Sequence, residues 1–214
     1  MNLRNFDPLK LRNSIEPMKR ILTLAMSLTL CVTLFAQKAD FNKAVAKYKN
    51  VTSLVATATR TTHKAAVAKD KVVTGTLSVK SGAKVAIVNG KDALIMNGNA
   101  FTMKKGPLKA KTDAAKDSRY KTFHDVLEAI FNGGQTDITK NSDAKMQKSG
   151  DNIVLTITPA STKKLMFSSF VITIDGKAQE MRTIRLNQKG GSYIEYTFSN
   201  YKLGAAVADK VFTN

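Results

Sequence analysis

Alternation of apolar and polar residues, the period of a half-buried β-strand, runs through most of the chain after Val51. In the first such run Leu54, Ala56 and Ala58 fall on one face. Asn-Gly pairs at 89–90 and 97–98 separate three short alternating runs, and this dipeptide favours two-residue hairpin turns. The pattern therefore predicts nine or ten antiparallel strands joined by tight turns. Their ranges are 51–62, 72–79, 84–88, 93–96, 100–104, 145–148, 153–158, 167–174, 180–186 and 192–198.

Two segments have helical spacing instead. The first covers residues 40–50 and has Asp40 as its candidate N-cap. The second covers residues 122–131, with Thr122 as its N-cap and Gly133-Gly134 as its end signal. Each segment carries an apolar stripe, which must be buried against a larger surface. The stripes consist of Phe41, Ala44, Val45 and Tyr48 in the first helix, and Phe123, Val126, Leu127, Ile130 and Phe131 in the second.

These elements indicate a mainly β protein with a few helices. An antiparallel sheet of this many strands curls or closes on itself, and its concave side offers the apolar surface that the two helices need. Gly106-Pro107 and the lysine-rich residues after them are expected to interrupt the sheet. The predicted fold is therefore a curled antiparallel sheet with helices covering its apolar side.

An apolar run near the N-terminus predicts export. Lys19 and Arg20 precede the apolar residues 21–35 and Ala36 follows them, which is the layout of a secretory signal peptide. We interpret residues 1–17 as a start-site extension, residues 18–36 as the signal peptide and residues 37–214 as a single domain. Cys31, the only cysteine, lies inside the apolar run, so the mature chain is expected to lack disulfides and thiolate chemistry.

The chain is strongly basic, with 34 Lys and Arg against 16 Asp and Glu and a net charge of +18. Such a charge fits either a polyanionic partner or a solvated lysine surface. Most of the basic residues are lysines spread through strands and turns, whereas phosphate recognition favours arginine. Export and the absence of Trp also argue against a nucleic-acid partner.

No grouping of residues indicates catalysis. His63 is expected in a polar loop and His124 on the exposed side of the second helix, and neither has a partner at zinc-ligand spacing. No serine stands in a Gly-x-Ser-x-Gly turn, and no glycine-rich phosphate loop is present. We therefore expect no enzyme activity, no metal and no cofactor.

Several motifs along the chain match a family pattern when they are taken together. Ala39-Asp40-Phe41 opens the first helix after the signal peptide, and residues 72–80 contain Gly75-x-Leu77-x-Val79-Lys80. A turn with the sequence Asn97-Gly98-Asn99-x-Phe101 follows. These motifs resemble the LolA-like outer-membrane lipoprotein carriers, in a Bacteroidetes-type form, and that family commonly has Asp-Gly-Lys before an aromatic strand at this turn. Well-known members carry an arginine that latches the lid directly after the Gly-x-Leu-x-Val-Lys segment, and here that position is Ser81. Further matching segments are residues 153–159 and 172–176, Met181, Ile184, Gly191-x-Tyr193 and Tyr196-x-Phe198.

The resemblance implies an unclosed antiparallel β-barrel whose helices form a lid over an apolar cavity. It implies a monomeric carrier in the periplasm, reached through the cleaved signal peptide. Such a carrier takes acylated lipoproteins from an inner-membrane ATP-driven lipoprotein release complex to an outer-membrane lipoprotein receptor, with the acyl chains in the cavity. The candidate lipid-binding residues are Phe41, Val45, Leu77, Val79, Ile87, Met96, Phe101, Met103, Phe123, Leu127, Ile130, Phe131, Leu155, Ile157, Phe170, Ile172, Met181, Ile184 and Phe198.

The same apolar residues also fit a filled hydrophobic core, which keeps a second hypothesis open. In it the protein is a periplasmic interaction domain that is not a carrier, and its basic surface binds an anionic partner. Binding of that kind weakens steeply with salt.

Overall fold

The structure is a computed structural model in which residues 37–81, 83–138, 143–159 and 167–213 are described. The proposed start-site extension and signal peptide, residues 1–36, lie outside the described residues. The chain from Lys38 onward folds into one compact unit.

Eleven antiparallel strands form one sheet in the order β6-β5-β4-β3-β2-β1-β11-β10-β9-β8-β7. Each half of the sheet is a meander, and β1 and β11 join the two halves. The sheet is not closed, because β6 and β7 are its two edges. The strands are β1 (Ser53–His63), β2 (Lys71–Lys80), β3 (Lys84–Asn89), β4 (Asp92–Asn97), β5 (Ala100–Lys105), β6 (Leu108–Asp113), β7 (Ala144–Ser149), β8 (Asn152–Ile157), β9 (Ser169–Asp175), β10 (Glu180–Asn187) and β11 (Tyr193–Leu203).

The predicted strands and hairpins are confirmed in nearly every case. Gly90 and Gly98 adopt positive φ values of 63° and 55°, which the Asn-Gly turns between β3, β4 and β5 require. Alternation also predicts burial correctly, since Leu54, Ala56 and Ala58 on β1 are all buried.

Strand β6 is a correction, because the lysine-rich residues after Gly106-Pro107 were expected to interrupt the sheet. They pair with β5 instead, with Lys104 opposite Lys109 and Lys105 opposite Leu108. Leu108 and the lysines of this strand are exposed, so the sequence lacks the alternation of apolar and polar residues that would predict a strand here. Backbone pairing holds the strand, and lysines on an edge strand also discourage pairing with another chain.

The two helical segments bury the stripes predicted for them, but their starts differ from the prediction. Residues 37–44 form helix α1, which continues through a turn at Val45 into a short 3-10 helix, Ala46–Tyr48. Asp40 therefore lies inside a helix and is not its N-cap. Phe41, Ala44, Val45 and Tyr48 are at most 2 % exposed.

Helix α2 covers Ser118–Phe131 and begins four residues before the predicted start. The backbone carbonyl of Asp117 accepts hydrogen bonds from the N–H groups of Tyr120 and Lys121, which are the first bonds of the helix. Thr122 is thus inside the helix and not its N-cap. The predicted end is confirmed, since Gly133 and Gly134 follow with φ values of 70° and 82°.

The helices and the inward face of the sheet share one hydrophobic cluster. The Phe123 ring of α2 lies 4.5 Å from the Phe170 ring on β9 and 6.0 Å from the Phe101 ring on β5. Seven inter-strand steps separate β5 from β9, which is about 34 Å in a flat sheet. One side chain can contact both strands only because the sheet curls around the helix.

The outer face of β3 and β4 is covered by the C-terminal segment. Phe212, in a short 3-10 helix (Asp209–Phe212), packs with Ala86 and Ile95 in a second, smaller cluster. Asp209 accepts hydrogen bonds from Lys80 at 2.9 Å and Lys84 at 3.1 Å. These two lysine partners lower the pKa of the exposed Asp209 carboxyl.

The two glycines after α2 pack closely against α1 and the segment that follows it. A Cβ at Gly133 would lie 2.3 Å from the Cα of Lys49, and one at Gly134 would lie 2.4 Å from the Asn42 Oδ1 atom. Both positions need glycine for two reasons, the positive φ and the close approach.

We expect Gly133→Ala to destabilise the fold more than Gly150→Ala. Gly150 has a φ of 59° and no atom within 4 Å of a Cβ, so alanine there adds only left-handed strain, about 1 kcal/mol. Gly133→Ala must also displace the Lys49 backbone, which we expect to cost roughly 2 kcal/mol more. Urea unfolding of both variants measures the difference. Equal losses would show that the Lys49 segment moves aside freely.

Candidate functional site

The structure brings all nineteen candidate lipid-binding residues into one cluster. Eighteen of them are buried core members, and Met103 is partly buried against the same cluster. They come from α1, α2 and most strands of the sheet, so their assembly depends on the curl. Their role in binding a lipid stays a prediction.

Aromatic rings hold α2 over the inward face of the sheet. Besides the two contacts of Phe123, Tyr120 stacks on Phe101 at 5.1 Å, and Phe131 meets Tyr48 edge-on at 5.3 Å. Such ring pairs contribute about 0.5–1.5 kcal/mol each beyond the area they bury. The first half of α2 is thus fixed to β5 and β9, and its last turn to the 3-10 helix after α1.

His124 is buried, at 5 % exposure, and the expectation that it faces solvent is wrong. Its Nε2 atom lies 2.9 Å from the carbonyl oxygen of Gly98 and donates to it. This hydrogen bond ties α2 to the β4–β5 turn. Ser81, which replaces the latch arginine of the family pattern, is exposed in the β2–β3 turn with a positive φ of 54°.

Two tyrosines, Tyr48 of the 3-10 helix after α1 and Tyr201 of β11, hydrogen-bond the backbone of a bulge in β10. The register of β10 against β9 shifts between Met181 and Thr183. The Met181 N–H donates to the Tyr48 hydroxyl at 3.1 Å, and the Tyr201 hydroxyl donates to the Met181 carbonyl. Burial raises the pKa of Tyr48 to about 12 and raises the pKa of Tyr201 as well, so both hydroxyls stay protonated.

A polar cluster at one end of the inward face was missed by the sequence reasoning. Arg60 on β1, Asp92 on β4 and Tyr196 on β11 meet there, with Arg60 8 % and Tyr196 7 % exposed. The alternation of β1 could have indicated this cluster, since Arg60 is two residues after Ala58 and must lie on the same inward face of the sheet. We name these three residues the interior polar cluster.

Within the interior polar cluster, Arg60 Nη1 forms an ion pair with Asp92, and the Arg60 guanidinium also lies near the Tyr196 hydroxyl. Asp92 additionally accepts a hydrogen bond from the Gly106 N–H at 2.7 Å. Burial alone would raise the pKa of Asp92, but the bonds from Arg60 and Gly106 and the Arg60 charge outweigh it and lower that pKa. The Nε atom of Arg60 is buried and has no hydrogen-bond partner among the described residues.

A separate surface pocket of about 490 Å³ lies between α1 and the turns β7–β8 and β9–β10. Its charged lining comprises Asp40, Lys43, Lys148, Asp151 and Lys177. The pair Lys148–Asp40, at 3.2 Å, connects α1 to β7. The lining is mostly charged and takes only Ala44 and Ile153 from the apolar cluster, so this pocket does not suit an acyl chain.

One group of possible metal ligands occurs among the described residues. Ligand atoms of His124, Asp125 and Glu128 lie within 4.8 Å of one another. The Nε2 atom of His124 already binds the Gly98 carbonyl, and its Nδ1 atom is 3.3 Å from Asp125. These contacts suffice to explain the grouping, and we assign no metal to it. Among the described residues no helix has both the length and the apolar character to cross a membrane.

The fold and site define a class of protein: an open antiparallel barrel whose apolar inward face is covered by a helix. The model of the family "Outer membrane lipoprotein carrier protein LolA" matches residues 49–214. The chain therefore belongs to the LolA family, as its motifs indicated. None of the curated proteins matches the sequence significantly.

The solved structures that match this chain have low sequence identity to it. A LolA superfamily protein from Nitrosomonas europaea is 11% identical, covering 82% of this chain and 96% of its own, with a TM-score of 0.40. A DUF1329 family protein from Desulfovibrio piger is 12% identical over 82% and 96%, with a TM-score of 0.42. The Mycobacterium tuberculosis lipoprotein LppX is 13% identical over 81% and 97%, with a TM-score of 0.37. The family assignment rests on the match over residues 49–214.

The ion pair in the interior polar cluster predicts a pH-dependent contribution to stability. A carboxylate whose folded pKa is lowered stabilises the fold above its unfolded pKa of about 3.9, and this is lost as the pH falls through the lower folded value. Asp92→Asn should therefore be less stable than the parent at pH 7, and the difference should shrink below about pH 4. Thermal unfolding of both proteins between pH 7 and pH 3 measures it. A constant difference would show that the Asp92 charge contributes nothing.

Proposed function

We propose that this protein is a periplasmic carrier that binds the acyl chains of lipoproteins against its apolar inward face. It receives them from an inner-membrane ATP-driven release complex and delivers them to an outer-membrane receptor. The observation that carries the proposal is membership of the lipoprotein carrier family over residues 49–214. In this function the protein acts as a monomer and needs no catalytic residue, metal or cofactor.

The way the interior is closed supports this role. The sheet edges β6 and β7 do not pair with each other, and α2 lies over the inward face through side-chain contacts. Moving α2 aside therefore breaks no strand pairing. It separates ring contacts and the hydrogen bond from His124 to Gly98, both of which can form again.

When α2 opens, the apolar contact between the helix and the sheet can be replaced by contact with an acyl chain. Lifting α2 exposes the fully buried side chains Phe123, Leu127 and Ile130 and the strands beneath them. An acyl chain that enters covers this surface again, and each methylene removed from water contributes about 0.8 kcal/mol. Because the helix and the ligand compete for the same surface, binding can remain reversible, as a carrier requires.

A second candidate is the interaction domain with a filled core and a basic outer surface. One observation favours it: Lys104 and Lys109 lie directly opposite each other on β5 and β6. Like charges in that arrangement repel each other, and an anionic partner would relieve the repulsion.

Acyl-chain binding separates the two candidates. Delipidated protein should bind a fluorescent fatty acid and a triacylated peptide saturably, and the triacylated peptide should bind almost equally well at low and high salt. An unacylated peptide of the same sequence is the control and should not bind. If neither acylated probe binds saturably, the carrier function is rejected. Binding only to polyanions, with a steep loss in salt, supports the second candidate.

Truncation of the α2 stripe tests whether this helix covers the ligand site. Leu127→Ala and Ile130→Ala should weaken acyl-chain binding about tenfold, because contact with several methylenes is lost. We expect a stability cost on the order of 1 kcal/mol, below the roughly 2–5 kcal/mol of a rigid core, since a movable helix can settle into the space.

Ile95→Ala is the matched control for this experiment. Ile95 is also buried, at 2 % exposure, but lies in the smaller cluster with Phe212. It should lose stability and keep its acyl affinity. A large stability loss in Leu127→Ala with unchanged affinity would show that α2 is ordinary core.

A further inference from the structure

The inward face of the sheet changes from apolar to polar at one end. On β1 the inward positions Leu54, Ala56 and Ala58 are followed by Arg60. Three other strands change in the same direction, toward the end of the sheet that lies away from α1. The changes are from Ile87 to Asn89 on β3, from Leu94 to Asp92 on β4, and from Phe198 to Tyr196 on β11.

Two polar atoms at this end are buried and unpaired among the described residues. They are the Nε atom of Arg60, a donor, and the Oδ1 atom of Asn89, an acceptor. The amide nitrogen of Asn89 is used, because it donates to the carbonyls of Ala58 at 2.7 Å and Val73 at 3.1 Å. Most buried polar groups in folded proteins are hydrogen-bonded, so a buried guanidinium N–H that has no partner among the described residues calls for an explanation.

The charge of the interior polar cluster restricts what the Arg60 donor can bind. Asp92 already balances the Arg60 charge through their ion pair. A second carboxylate would face Asp92 as well as Arg60, and like charges at one site are unfavourable. An uncharged carbonyl oxygen accepts the hydrogen bond from Nε without that repulsion.

We propose that the interior polar cluster is the subsite for the polar end of the acylated ligand, where Arg60 Nε donates a hydrogen bond to an ester carbonyl of the acyl-glyceryl group. The acyl chain then runs along the apolar positions of the same strands, away from Arg60. This inference rests on the proposed function, and it adds an orientation for the ligand. Arg60 binds the ligand directly, and Asp92 positions Arg60.

Paired ester and ether lipids test this subsite, since an ether lacks the carbonyl oxygen. The assay is displacement of the uncharged dye N-phenyl-1-naphthylamine from delipidated protein by a dipalmitoyl lipopeptide and by its dihexadecyl ether analogue. The parent protein should prefer the ester by about three- to tenfold, the effect of one hydrogen bond. Palmitate is the third competitor and distinguishes a free fatty-acid carboxylate from an ester.

The variants remove the donor in two ways. Arg60→Lys keeps a cation beside Asp92 but has no Nε donor, and it should lose the ester preference. Arg60→Met combined with Asp92→Leu removes both charges together, which buried ion pairs often tolerate, and should lose the preference too. Arg185→Lys is the matched control, because Arg185 binds Glu195 and stacks on Tyr193 away from the interior polar cluster. It should keep the preference.

Each outcome bears on one claim. Equal affinity of the parent for ester and ether overturns the subsite and leaves the carrier function standing. An ester preference that persists in Arg60→Lys and in the double variant also overturns it. Failure of both lipids to displace the dye from the parent rejects the carrier function itself. The parent protein could also bind palmitate better than the ester and lose this advantage in Arg60→Lys. That result supports the subsite but overturns the ester assignment in favour of a carboxylate.

Discussion

The apolar residues of α2 must be buried against the sheet, and this requirement determines how the sheet curls. Phe123 contacts Phe170 on β9 and Phe101 on β5, which lie far apart in the strand order. A flat sheet offers the helix only a few neighbouring strands. Curling brings both halves of the meander against one helix and removes the stripe from water, at about 25 cal/mol for each Å² of apolar surface. The twist of a large antiparallel sheet already favours this direction of bending.

Because α2 covers the inward face, the barrel can stay open between β6 and β7, and an open barrel suits a carrier. Closure by pairing β6 with β7 would fix the interior permanently, whereas closure by a helix can be reversed. The edges are kept from unwanted pairing by charge, with the lysines of β6 on one edge and Lys145 and Lys148 on the other. The basic composition of the chain thus has a structural use on its exposed edges, apart from any partner it binds.

The interior is amphipathic along its length, not uniformly apolar. Phenylalanines and aliphatic residues line most of it, while Arg60, Asp92 and Tyr196 form a charge-balanced group at one end. Burying an unbalanced arginine would be costly, and Asp92 reduces that cost. An acylated molecule has the same division, a hydrocarbon chain and an oxygen-bearing end. The family function and this arrangement of side chains are therefore consistent with each other.

Local pattern by itself determined much of this protein. Period-two alternation and Asn-Gly turns identify β1 to β5 and β7 to β11, because half-buried strands need one apolar face and tight hairpins need positive φ. The stripe of α2, the class of fold and the family are also readable from the sequence. Tertiary structure alone decided the features without such a signal. Strand β6 forms by pairing with β5 despite an exposed, lysine-rich sequence, and His124 is buried because the Gly98 carbonyl comes within 2.9 Å of it. The meeting of Arg60 with Asp92 depends on the curl of the sheet, since 32 positions and two intervening strands separate them. Spacing along a chain reports which face a residue occupies, but not which distant residue shares that face.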